Sequence, residues 1–138
     1  MKHKILFCKP IYQDLEECTF VLNAQAKIPD DKILVNKVKK YCKNITNSNV
    51  KANVHDNNVY LHITTKSKCN ALDVPNIVKG KRIAEGKAKK KLYDILAQIS
   101  IIIFEYYKNL YEDYVFFKNR YVSMYIKERD HIEELDVR

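Results

Sequence analysis

Glycine and proline are scarce: the 138 residues include 2 Gly, 3 Pro and no Trp. So few chain-breaking residues leave little room for long flexible linkers, and the length fits one domain. Long apolar runs are missing too. The most apolar stretch, Ile95 to Phe104, falls well short of the ~20 residues that cross a bilayer. The apolar run after Met1-Lys2-His3-Lys4 stops at Pro10, too early for a signal-peptide core followed by a cleavage site. The four cysteines, Cys8, Cys18, Cys42 and Cys69, are widely spread. None forms a Cys-x-x-Cys pair and no Cys–His spacing resembles a zinc site. They read as small buried hydrophobes in a reducing compartment, with no metal or cofactor. The expectation is a soluble cytoplasmic protein without membrane attachment.

What is present is an ordinary globular balance, 46% hydrophobic and 30% charged, with a net charge of +8. The charge is uneven. Residues 1–91 hold 19 Lys and Arg against 8 Asp and Glu, whereas residues 92–138 hold 6 against 9. A balance of +11 in front and −3 behind points to a polyanionic partner for the front.

Lys4 to Lys9 reads as a strand ended by Pro10. Cys18 to Ala26 alternates, with Cys18, Phe20, Leu22, Ala24 and Ala26 on one face, and predicts a half-buried strand. Pro29-Asp30-Asp31 opens a helix with Asp30 as the cap, and Leu34, Val38, Tyr41 and Ile45 follow at helical spacing. Lys32, Lys39 and Lys43 fall on another face of it. Val50, Ala52 and Val54, then Asp56-Asn57-Asn58, then Val59, Leu61 and Ile63 predict a hairpin whose opposite face carries Lys51, Asn53, His55, Tyr60 and His62. Thr64 to Val74 reads as irregular, and Pro75 as the start of a helix. From about Asn76 to Leu135 there is no proline, which predicts helix with a possible break between Lys108 and Asp113. The fold class is therefore α+β in ββαββα order: a small antiparallel sheet packed on helices, with a long C-terminal helix or αα-hairpin. Residues 1–75 form the sheet and first helix, and 76–135 the helical segment of the same domain.

Within that segment Tyr93, Leu96, Ser100, Ile103, Tyr107, Leu110, Tyr114, Phe117, Tyr121 and Met124 recur at alternating spacings of three and four. Such a seam needs a second surface, supplied either by folding back or by a second copy. Tyrosines at seam positions favour an irregular helical interface, because each hydroxyl wants a partner.

Lys79 to Lys91 is the most informative stretch, with seven basic residues and one acid. Ala84, Ala88, Leu92 and Ile95 make a narrow apolar stripe, and the rest of the surface is cationic. Lys79, Lys81, Arg82, Lys87, Lys89, Lys90 and Lys91 are the candidate phosphate contacts, with Lys39 and Lys43 extending the patch if the first helix lies alongside. A solvated basic face that binds nothing is the plain alternative. No catalytic residue is assigned. A His55–His62 pair across the hairpin would suit acid–base cleavage of RNA, but two polar residues on an exposed strand face explain the pattern as well. Gly80 and Gly86 lack the Lys-Ser/Thr ending of a phosphate loop.

Two resemblances attach to this stretch. Cys69, Asp73, Gly80, Ala84, Lys87 and Ala88, preceded by the hairpin at 50–65, resemble a pattern found in small proteins from phages and prophages of low-GC bacteria. It covers about forty residues, and Val74-Pro75 stands where that pattern has an acidic-aromatic dipeptide. The resemblance implies a mobile-element origin and an accessory role. Lys81-Arg82-Ile83-Ala84-Glu85-Gly86-Lys87-Ala88 is similar to the last helix of double-stranded RNA-binding domains, which implies phosphate contacts for Lys81 and Arg82. That family has three strands before the helix, where two are readable here. The resulting expectation is a non-enzymatic, phage-type accessory protein that binds RNA or DNA. An anti-defence protein that blocks a CRISPR effector or another host nuclease is one alternative, and a dimeric structural protein another.

Overall fold

The computed structural model describes residues 2–12, 17–68 and 77–137. Four strands, β1 (His3–Tyr12), β2 (Glu17–Lys27), β3 (Val50–His55) and β4 (Asn58–Lys68), form one antiparallel sheet in the order β1-β2-β4-β3. Helix α1 spans Lys32–Ile45 and helix α2 spans Ile77–Val137. The ββαββα order expected from the sequence is the order observed. The chain divides into two units, Met1–Ile102 and Ile103–Arg138, so the part of α2 up to Ile102 belongs with the sheet.

Alternation builds the sheet unit. Cys18, Phe20, Leu22, Ala24 and Ala26 of β2 stand opposite Ser67, Thr65, Ile63, Leu61 and Val59 of β4. Val50, Ala52 and Val54 of β3 continue three of those rungs. A period-two pattern puts all of these on one face, where most are fully buried. Leu34, Val38 and Cys42 of α1 and Ala84, Ala88, Leu92, Ile95 and Ile99 of α2 complete the core. The short side chains of α2 matter most. Ser67 Oγ donates to the Gly80 carbonyl at 2.7 Å and Thr65 Oγ1 donates to the Ala84 carbonyl at 2.6 Å. Sheet hydroxyls reach helix carbonyls only if little side chain lies between.

Several boundaries differ from the sequence reading. Pro10 does not end β1, which runs on to Tyr12. The strand lies at the sheet edge, where a missing N–H costs no ladder bond if it faces outward. Strand β4 continues through Thr64–Lys68, read above as irregular, because β2 pairs with it along its whole length. Asp31, not Asp30, caps α1: its Oδ1 accepts from the amides of Ile33 at 3.0 Å and Leu34 at 3.1 Å. Asp56 and Asn57 form the two-residue hairpin turn with φ of 48° and 61°, the left-handed region that Asn and Asp tolerate. Cys18 and Cys42 are buried as expected, but Cys8 is exposed on the edge strand. Cys69, Asp73 and Pro75 lie outside the described residues.

Helix α2 carries no break between Lys108 and Asp113, so the αα-hairpin alternative is not what forms. Leu96 is 7% exposed and belongs to the sheet unit's core, which shortens the seam read from the sequence. In the second unit Tyr107, Tyr114, Phe117, Tyr121 and Met124 are all exposed.

The small-residue seam yields a stability prediction. Ala84→Leu should destabilise the sheet unit by about 1–3 kcal/mol, because the added carbons have no space between helix and sheet. Ile83→Leu, at the adjacent exposed position, should be nearly neutral. Urea denaturation of the two variants checks the contrast.

Candidate nucleic-acid interface

Helical geometry distributes the expected cations around α2 once Gly80, Ala84 and Ala88 are turned toward the sheet. Lys79, Lys81, Arg82, Lys87 and Lys90 are exposed, and Lys89 and Lys91 are half-buried. Lys81 and Lys89 fall on the β1 side, close enough to Cys8 to act on its thiol electrostatically. Lys87 and Lys91 fall on the opposite side. Arg82 and Lys90 project from the outer surface. The cations thus form a collar around the helix rather than a single flat patch.

Not all of them are available to a ligand. Glu85 pairs with Lys89 at 3.1 Å, and this hydrogen bond together with the carboxylate charge raises the Lys89 pKa. Asp94 lies 3.9 Å from Lys91. Lys87 Nζ donates to the Lys66 carbonyl at 3.0 Å, capping the part of β4 that extends past β3. Lys81, Arg82 and Lys90 form no ion pair among the described residues, which makes them the most available cations of the collar.

Two clefts flank the α1–β3 connection. One, of about 440 Å³, is lined by Lys87, Lys91, Asn47, Asn49, Thr64 and Lys66. The other, also about 440 Å³, is lined by Lys39, Lys43, Thr46, Ala52 and Asn53. The lysines of α1 and α2 therefore line separate clefts with no residue in common, one touching the connection at Thr46 and the other at Asn47 and Asn49. Asn47 Oδ1 fixes that connection by accepting from the amides of Asn49 and Val50, both at 2.8 Å.

The structure does not bring His55 and His62 together. His55 Nε2 lies 3.1 Å from Asp56 Oδ2, whereas His62 Nδ1 lies 2.6 Å from Asn23 Oδ1. His55 stands opposite Asn58 in the ladder, four residues from His62 along β4. At about 3.3 Å per residue that separation is about 13 Å, too far for one proton relay. Among the described residues no group of His, Cys, Asp and Glu could hold a metal ion. No helix among them is long and apolar enough to cross a membrane.

A second cationic surface was not assembled from the sequence. The sheet face away from the helices carries Lys4, Lys9, Lys27, Lys51, Lys66 and Lys68, all exposed, with Glu17 beside Lys66 at 3.7 Å. Strand alternation could have marked each lysine as outward, but only the β1-β2-β4-β3 order gathers them. No protein-family model matches this sequence, and neither the curated proteins nor the solved structures yield a match.

Burial sets the chemistry of the remaining nucleophiles. Desolvation raises the Cys8 and Cys18 thiols and pushes Cys42, 2% exposed, up to about 11 from 9.0. In the unfolded chain Cys42 ionises near its ordinary value, while in the native protein it stays protonated. Its contribution to stability is therefore complete below pH ~9 and is lost as pH rises toward ~11, a loss on the order of 2 kcal/mol. Urea midpoints at about pH 8 and about pH 10.5 should move less for Cys42→Ala than for the parent chain.

Proposed function

We propose that this protein is a non-enzymatic accessory protein that binds nucleic acid through the cationic surface of the first part of α2. The observation that supports this most directly is the clustering of seven cations between Lys79 and Lys91, placed on the surface of a helix whose small residues hold it against the sheet. A rigid helix carrying Lys81, Arg82 and Lys90 outward offers fixed points for phosphate oxygens. Each contact releases counterions, giving affinity that depends on salt rather than on sequence. Lys87 and Lys91 of the collar line one cleft, and Lys39 and Lys43 of α1 line a separate one that would offer a second set of phosphate contacts. The phage-type origin implied by the sequence resemblance fits a small accessory role. The anti-defence alternative would use the same cations against an acidic protein surface.

A second reading, self-association, is favoured by the unit Ile103–Arg138. Phe104, Tyr111, Tyr114, Phe116, Tyr121 and Tyr125 are each more than 60% exposed. Helices gain most of their stability by burying an apolar face, and aromatic residues are modest helix formers. An apolar surface of this extent exceeds what monomers ordinarily leave uncovered. A second copy pairing along Tyr107, Leu110, Tyr114, Phe117, Tyr121 and Met124 would cover Tyr114 and Tyr121 of that surface, while Phe104 and Phe116 point away from this seam.

Two measurements test these readings. In fluorescence anisotropy at low salt, Lys81→Glu/Arg82→Glu/Lys90→Glu should weaken nucleic-acid binding at least tenfold, and its log K against log salt slope should be shallower by about 3. Tight binding of an acidic host protein, with no affinity for nucleic acid, would select the anti-defence alternative. In sedimentation at micromolar concentration the parent chain should run as a dimer or larger and Tyr114→Glu/Phe117→Glu as a monomer. A parent chain that stays monomeric at high micromolar concentration would overturn self-association.

A further inference from the structure

The sheet buries one face under α1 and α2 and leaves much of the other open, although Thr19 on that second face is buried. On that open face two aromatic rings stand among the lysines: Phe7, 47% exposed, and Tyr60, 37% exposed. They occupy neighbouring rungs of the ladder. One rung reads Phe7, Asn23, His62, Lys51 across β1, β2, β4 and β3, and the next reads Lys4, Gln25, Tyr60, Asn53. The register shift between Ile5 and Phe7 makes this possible. Without the bulge at Leu6, Phe7 would share the inward face with Ile5. Strands β1 and β4 are separated only by β2, about 10 Å across the sheet, and the two rungs are about 7 Å apart along the strands, so Phe7 and Tyr60 stand about 12 Å apart.

Each rung ends in a lysine, at Lys51 in one and Lys4 in the other, and Lys9 and Lys66 stand in the rungs beyond. Between the rings lie amides and an imidazole, the polar groups that base edges need. Asn23 is held by His62 at 2.6 Å, and Gln25 Nε2 donates to Asn58 Oδ1 at 3.0 Å. The only carboxylate on the strands of this face among the described residues is Glu17, at one end and beside Lys66.

We propose that this open face is a binding platform for single-stranded nucleic acid, with bases stacking on Phe7 and Tyr60 and phosphates meeting Lys4, Lys9, Lys51 and Lys66. The assignment rests on the nucleic-acid reading above for its ligand class, but it uses a different surface and names the form of the ligand. An unpaired strand exposes base faces and a flexible backbone, which rings projecting from a sheet can capture. A duplex keeps its base faces stacked and presents mainly phosphates, which suits the collar of α2 instead. The two surfaces lie on opposite faces of the sheet and meet at Thr64 and Lys66, which also line the cleft of Lys87 and Lys91, so mutations that spare these two residues separate their contributions.

Anisotropy of the full chain at moderate salt, with a labelled oligo(dT) and oligo(U) of about 12 nucleotides and a hairpin duplex of similar charge, tests the assignment. Phe7→Ala/Tyr60→Ala should weaken single-strand binding by about tenfold or more and leave duplex binding unchanged. Phe7→Tyr/Tyr60→Phe should restore it, because the rings remain. Both positions are exposed and the core is untouched; if the alanine pair nevertheless fails to fold, Lys4→Glu/Lys51→Glu should give the same selective loss. Single-strand binding equal to that of the parent chain in the alanine pair, or an equal loss for both probes, overturns the platform. A parent chain that binds the duplex alone also overturns it while sparing the collar. Binding of neither probe overturns both.

Discussion

Close approach of one helix to the sheet is the constraint on which the sheet unit depends. Gly80, Ala84 and Ala88 are spaced so that a single face of α2 carries almost no side chain, and a Cβ on Gly80 would come within 3.3 Å of Ser67 Oγ. This closeness allows Thr65 and Ser67 to donate to helix carbonyls, so two hydroxyls on the core face of β4 are satisfied without water. The larger Leu92, Ile95 and Ile99 then fill the core further along the helix. Because the buried face is so narrow, the rest of the circumference between Lys79 and Lys91 is left for cations.

Local pattern made most of this legible. The alternation in Cys18–Ala26 and across the hairpin assigned the inward residues correctly, and the Ala84, Ala88, Leu92 and Ile95 stripe marked the helix face. What the pattern could not carry was pairing. Thr64–Lys68 contains no apolar alternation and becomes a strand because β2 is there to receive its hydrogen bonds. Pro10 fails to stop β1 because the strand is at an edge, a fact of topology rather than of composition. The seam along the last helix was read as one feature, yet Leu96 and Tyr107 lead different lives: one is buried against the sheet, the other is exposed in a separate unit. Periodicity alone cannot say which neighbour a stripe will meet.

The candidate site shows the same division. The seven cations of Lys79–Lys91 were visible as a run, and the run is a collar. Its ion pairs with Glu85 and Asp94 were accessible from i, i+4 and i, i+3 spacing. The open-face lysines were not visible as a group, since Lys4, Lys27, Lys51 and Lys66 come from four strands and meet only through the ladder. His55 and His62 looked like partners because they share a hairpin face, but the two-residue turn sets a register that keeps them four residues apart.

The sheet's two borders bear on how any partner can approach. An exposed strand edge is a template for another strand, and β-augmentation is a common way of acquiring a peptide or a neighbouring copy. Here β1 holds a proline in its outer course, the Thr46 hydroxyl meets both the amide and the carbonyl of Ala52 on β3, and beyond the end of β3 the Lys66 carbonyl of β4 is taken by Lys87. Both borders are thereby blunted against strand addition. What the borders offer an extended polypeptide is reduced, and the faces are left as the larger accessible surfaces of the sheet.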